Sequence, residues 1–154
     1  VEELIAALAG LEAPFRTLVD DSEWAHASVE GLVLDTGTWW TADAETRLTP
    51  QVTFSVAFSE AGRLQGGVYV EGYLWRDGRP VAGAWCGHGD RVVYGPRSEA
   101  YLGIALSPHF CRRIQQRNGT AAVLMSKHPN LLPLLRDGLP RGAVLPGGRP
   151  GPRA

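Results

Sequence analysis

Apolar residues at Leu4, Ile5, Leu8 and Leu11 recur at helical spacing and predict a helix over residues 1–11, with Gly10 placed to end it. Thr17 to Val33 fits neither the helical nor the strand period, although Trp24, Val29 and Val33 are apolar. Leu34 to Leu48 reads as loop or short extended pieces around Trp39-Trp40. Thr49-Pro50 carries a cap-then-proline signature, because proline's missing N–H costs nothing at the first helical position. A helix from there would bury Val52, Phe54, Ala57, Phe58 and Ala61 before Gly62.

Beyond Gly66-Gly67 the period changes to two. Val68 to Trp75 alternates as a strand, Asp77-Gly78 is a two-residue hairpin signal, and Pro80 to Cys86 returns. Gly87-His88-Gly89-Asp90 predicts a turn, followed by strands at Arg91–Tyr94 and Tyr101–Leu106. Ser107-Pro108 repeats the capping signature and opens a helix that Asn118-Gly119 ends. Ala121 to Met125 is expected as a short buried strand, and Asn130 as the cap of a last helix limited by Pro133. Helices around a run of antiparallel strands indicate an α+β fold, with a central helix packed on an antiparallel sheet. Residues 1–138 are expected to form one domain. Gly, Pro and Arg dominate residues 139–154, which are expected to be a disordered tail.

Composition narrows the function classes. A net charge of −1 offers no basic field for nucleic acid or an anionic membrane. Two cysteines, Cys86 and Cys111, do not make a disulfide framework, and reduced thiols in a cytoplasm are the simpler expectation. No apolar run reaches membrane-spanning length, and the acidic start Val1-Glu2-Glu3-Leu4 lacks a secretory n-region. Cytoplasmic location and no membrane or nucleic-acid partner follow as expectations.

The stretch from Tyr69 to Leu106 contains Val70-Glu71-Gly72-Tyr73, then Gly83-Ala84-Trp85, Val92-Val93-Tyr94-Gly95-Pro96, and Tyr101-Leu102-Gly103-Ile104. In order and spacing it resembles the core of papain-fold, transglutaminase-like cysteine hydrolases, small members of which occur in actinobacteria and phages. The resemblance is carried by residues 52–106 and implies a papain-like fold with a nucleophile helix on the sheet. It also implies a degenerate triad. Thr53, in Thr53-Phe54-Ser55-Val56-Ala57, stands at the family's Cys position, Gly83 at its His and Tyr94 at its Asp. A Thr hydroxyl with no base beside it has no useful alkoxide population at neutral pH. The implied function is that of a pseudoenzyme, a binding or accessory protein that would take a small molecule or peptide segment, or a protein partner. A role in a biosynthetic pathway is conceivable by analogy. Thr53, Ser55, Gly83, Trp85 and Tyr94 would form the remnant groove, with no cofactor.

Two further chemistries arise from the residues themselves. Cys86-x-His88 and His109-x-Cys111 would make a Cys2His2 zinc site if they met, although the spacings match no zinc module. The alternative function is an active hydrolase or acyl transferase of altered mechanism. It would use Cys86 with His88 or His109 as base, or a polar cluster of Thr53, Ser55, His88 and Tyr94. A cysteine within a strand lacks the helix end that lowers a thiol pKa. His26 and His128 read as surface or capping residues. Trp39, Trp40, Trp75 and Trp85 are candidates to line a groove.

Overall fold

The computed structural model describes residues 1–16, 23–126 and 128–153. Helix α1 (Glu2–Arg16) has Glu2 and Glu3 in its first turn and Arg16 in its last, charges that suit the helix dipole. It continues through Gly10 because Leu4 and Leu8 are fully buried and Glu12 is held by Arg16 and Arg153. Those contacts outweigh glycine's modest propensity cost. Of the ambiguous stretch, residues 17–22 lie outside the described residues. Its end forms the start of α2 (Val29–Thr36), capped by Ser28, whose Oγ accepts from the Gly31 N–H.

Strands β1 (Thr38–Trp40) and β2 (Arg47–Thr49) follow. The helix expected at Pro50 begins later, as α3 (Phe54–Arg63). Thr49 is committed to pairing with Pro96, so the next capping residue, Thr53, opens the helix by accepting from the Val56 N–H. Strands β3 (Val68–Arg76), β4 (Arg79–His88), β5 (Arg91–Pro96) and β6 (Ala100–Leu106) form the antiparallel run. Asp77 and Gly78 both take positive φ in the β3–β4 hairpin, as a primed two-residue turn requires. His88 belongs to β4, so the following turn is shorter than the sequence suggests. Helix α4 (Pro108–Asn118) is capped by Ser107 and closed by left-handed Gly119. A 3-10 turn, Pro129–Leu131, leads into α5 (Leu132–Asp137). His128, rather than Asn130, caps the 3-10 turn, its Nδ1 accepting from the Asn130 N–H, and α5 itself starts from Leu131 without a side-chain cap.

The strand order is β1-β6-β3-β4-β5-β2, antiparallel throughout except for the parallel β2–β5 pair. The two edges belong to one chain segment, residues 38–49. β1 pairs with β6, and the next residue, Thr41, already bonds to β5: its N–H donates to Asp90 O and its carbonyl accepts from Val92 N. The sheet therefore rolls up into a barrel with an inside and an outside. The fold is α+β.

Trp40, Val70, Leu74, Trp85, Val92, Tyr101 and Ala105 fill the inside. Glycines make room for the indoles: a Cβ at Gly87 would sit 2.4 Å from the Trp40 ring, and one at Gly103 2.7 Å from the Trp85 ring. The outer face carries Tyr69, Tyr73, Ala84, Cys86, Leu102 and Ile104, covered by Leu4 and Leu8 of α1, Leu32 and Val33 of α2, Ala57 and Ala61 of α3, and Phe110 and Ile114 of α4.

Glu71 faces outward yet is completely buried. Its carboxylate accepts from Tyr69 Oη at 2.6 Å and from the N–H groups of Val123, Leu124 and Met125 at 2.7, 2.8 and 3.0 Å. That is why Ala121–Met125 is buried but forms turns rather than the expected strand: its donors serve a side chain, not a ladder.

The expected disordered tail is instead a strap. Ser107 N donates to Ala143 O and Leu145 N to Ala105 O, at the end of β6. Trp39 and Arg149 exchange both backbone hydrogen bonds along the free edge of β1. Arg153 then bridges buried Glu12 on α1 and Asp35 on α2. Composition misleads here because backbone groups, available on any residue, make most of these contacts.

Candidate functional site

The implied remnant groove does not assemble as one surface. Thr53 and Ser55 are exposed in the first turn of α3, where the Thr53 hydroxyl is occupied as the helix cap. Tyr94 is opposite Cys86 across β4–β5 and shares the outer face with it. Gly83 faces the barrel interior, three residues from Cys86 on a strand whose side chains alternate. A Cβ at Gly83 would lie 2.9 Å from Leu74 Cδ1, so no cavity stands at this position. Trp85 is also inside and has no exposed surface, packed edge-on to Tyr101 at 5.3 Å between centroids. Gly83 and Trp85 thus line no accessible groove.

Around Cys86 and Tyr94 there is a cleft of about 150 Å³, walled by Arg47, Glu60, Arg63 and Leu64. Arg47 stacks over the Tyr94 ring at 4.5 Å and pairs with Glu60 at 2.8 Å. Burial and the nearby Glu60 push the Cys86 thiol up to about 11, against a smaller opposing pull from Arg47. Burial and Glu71 push Cys111, in α4, up to about 12. Neither thiol is hydrogen-bonded to an imidazole among the described residues, and His88 is exposed beside Gly66. A buried, protonated thiol is a poor nucleophile. Cys86, His88, His109 and Cys111 do not converge; among the described residues no group of three His, Cys, Asp or Glu is placed to hold a metal ion.

A larger cavity lies elsewhere, beside β1. It encloses about 500 Å³ between Trp39 to Ala42, Ser98 to Tyr101, and Arg149 and Pro150 of the strap, with Val1 at its rim. Trp39 is half-buried, and Trp40 reaches it from inside the barrel. Of the tryptophan candidates, Trp39 and Trp40 border this cavity, and Trp75 borders a separate cleft of about 310 Å³ beside Arg76 and Arg97. Ser98, Glu99 and Arg149 were not legible as site residues, because they come from the connection between β5 and β6, which are not neighbours in the sheet, and from a segment whose composition resembles a tail.

A second charge cluster also escaped the sequence. His26 Nδ1 lies 2.7 Å from Asp35 Oδ2, and Asp35 shares Arg153 with Glu12. This network ties α1, α2 and the strap together, so His26 is more than an isolated surface residue.

Among the described residues no helix is long and apolar enough to cross a membrane. No protein-family model, curated protein or solved structure matches the chain at a significant level.

Proposed function

We propose that this chain is a non-catalytic binding module that takes a small molecule, or the end of a peptide segment, in the cavity beside β1. The observation that carries this reading is the cavity itself. At about 500 Å³ it is within the usual size range of small-ligand sites, and half-buried Trp39 lines it together with a few polar residues. The papain-like, transglutaminase-like reading enters as the scaffold: α3 precedes β3, β4 and β5 in the order that resemblance implies, with its nucleophile position held by Thr53. Catalysis through Cys86 has no comparable support, given the raised thiol and no hydrogen-bonded imidazole among the described residues.

The test is a small-molecule screen read by backbone amide NMR shifts. Ligands should perturb Thr41, Ala42, Glu99 and Ala100. An Ala42→Phe variant, which fills the cavity from a half-buried position, should abolish those shifts while leaving the thermal midpoint within a few degrees. Hits that cluster instead around Cys86 and Tyr94, and survive Ala42→Phe, would overturn the proposal.

A further inference from the structure

A small pocket of about 70 Å³ lies where α3, the start of β3, the start of α4 and the strap meet. Its walls are apolar: Phe58, Val68, Tyr69, Leu106 and Leu145 line it. Gly62 lines it without a side chain, and a Cβ added there would meet nothing within 4 Å. The polar groups of the wall bond within the fold. Tyr69 Oη donates to Glu71, Gly67 N to Leu64 O and Leu145 N to Ala105 O. Tyr69 is paired with Leu106 across β3 and β6, and Val68 with Gly87 across β3 and β4.

Arg112 of α4 is the one charged residue among the described residues that line this pocket. Its guanidinium carbon lies 5.9 Å from the centroid of the Phe58 ring, so the charge sits over one wall. Phe58 in turn packs edge-on to Tyr69 at 5.3 Å. The carboxylates of the surrounding elements are engaged elsewhere. Glu60 of α3 pairs with Arg47 and Arg63, and Glu71 of β3 is held by Tyr69 and the backbone of Val123, Leu124 and Met125. β6, α4 and the strap carry no acidic residue. Arg113 and Arg141, which line another cleft at the start of α4, add charge of the same sign.

We propose that this pocket is a second binding site, separate from the cavity beside β1, and that it takes a small branched aliphatic carboxylate. The branched chain enters the apolar pocket, and the carboxylate pairs with Arg112. Burial of the chain drives binding, while the planar guanidinium offers parallel donors that match a carboxylate. An ammonium on the same chain would face Arg112 with no carboxylate in the wall to offset it. A neutral hydroxyl would gain the burial without the ion pair. Arg112 is exposed, so its contribution is modest and falls as ionic strength rises.

The experiment titrates isovalerate, isoamyl alcohol, isoamylammonium and acetate into the full chain at millimolar concentrations, following amide shifts at Gly62, Val68 and Leu145. Isovalerate should bind more tightly than the alcohol or the ammonium, and acetate, which has no chain to bury, should leave these amides unmoved. Arg112→Gln should weaken isovalerate about three- to fivefold, the range of an exposed ion pair, and leave the alcohol unchanged. The alcohol or the ammonium binding as tightly as isovalerate overturns the carboxylate assignment, as does isovalerate binding unchanged in Arg112→Gln. Isovalerate shifts confined to Thr41, Glu99 and Ala100 would place the acid in the cavity beside β1 and overturn the second site. The absence of any shift at Gly62, Val68 and Leu145 overturns it too, and leaves the reading of the cavity beside β1 untouched.

Discussion

Cys86 shows how environment decides the chemistry of a residue. It lies in a strand, on the outer face beneath Tyr94, with only 1% of its surface exposed. A thiol at about 11 carries roughly one part in a thousand thiolate at pH 8. Iodoacetamide alkylation of Cys86 should therefore be slow at neutral pH and climb about tenfold per pH unit up to about pH 11. A plateau near pH 8 would show a normal thiol and reopen catalysis at this position. The sign for stability follows. The folded pKa is raised above the unfolded value of about 8.5, so the thiol's contribution is complete below that value. It is lost as the pH rises toward 11. Cys111 and the buried Tyr69, Tyr73 and Tyr101 are shifted the same way, so the fold should weaken in alkali. Glu71 is also raised: burial pushes its carboxyl up more than its four donors pull it down. Its letter was visible within Val70-Glu71-Gly72-Tyr73, but its role depends on backbone more than fifty residues away.

At the scale of elements, the barrel's curvature rests on where glycine falls in the strands. An added methyl has different consequences at each position. At Gly72 the Cβ would lie 2.1 Å from the Leu102 carbonyl oxygen, a backbone atom that can move only with β6. At Gly83 it would meet the end of the Leu74 side chain at 2.9 Å, which can rotate aside. Gly72→Ala should cost about 3 kcal/mol or more, and Gly83→Ala about 1 kcal/mol or less. Urea denaturation gives both values, and equal costs would contradict the barrel geometry. Most elements were legible, because local rules govern them: alternation in β3, Asp77-Gly78 at the hairpin, and Ser107-Pro108 at the start of α4. The exceptions share a cause. Pro50, Ala121–Met125 and Asn130 each carry a valid local signal that a distant partner overrides, through Pro96 for the strand before Pro50 and Glu71 for the second. For the third, a neighbouring competitor, His128, takes the cap.

At the scale of the molecule, the strap closes what the barrel begins. Its end is fastened by Arg153 to Glu12, which is only 1% exposed, while Arg149 pairs with a partly exposed Asp90. Removing a partner from a buried carboxylate costs far more than removing one at the surface. Arg16 remains beside Glu12, so Arg153→Met should cost about 2–3 kcal/mol, and Arg149→Met less than about 1 kcal/mol. Chemical denaturation of the two variants checks the difference; equal, small losses would mean that the strap's end is not fastened to the core.

The sequence by itself determined the α+β class, the antiparallel run from Val68 to Leu106 and the caps of α4. These depend on period, turn residues and residue identity, which are local. Tertiary structure alone decided which face each residue presents and what covers it. Closure of the sheet turned Gly83 and Trp85 inward, away from Tyr94 and Thr53. Pairing with β1 and β6 made a strap of a segment rich in glycine and proline. The same closure brought Trp39, Glu99 and Arg149 around one cavity. Such placements arise from hydrogen bonds and packing between segments far apart in the chain, which no local pattern encodes.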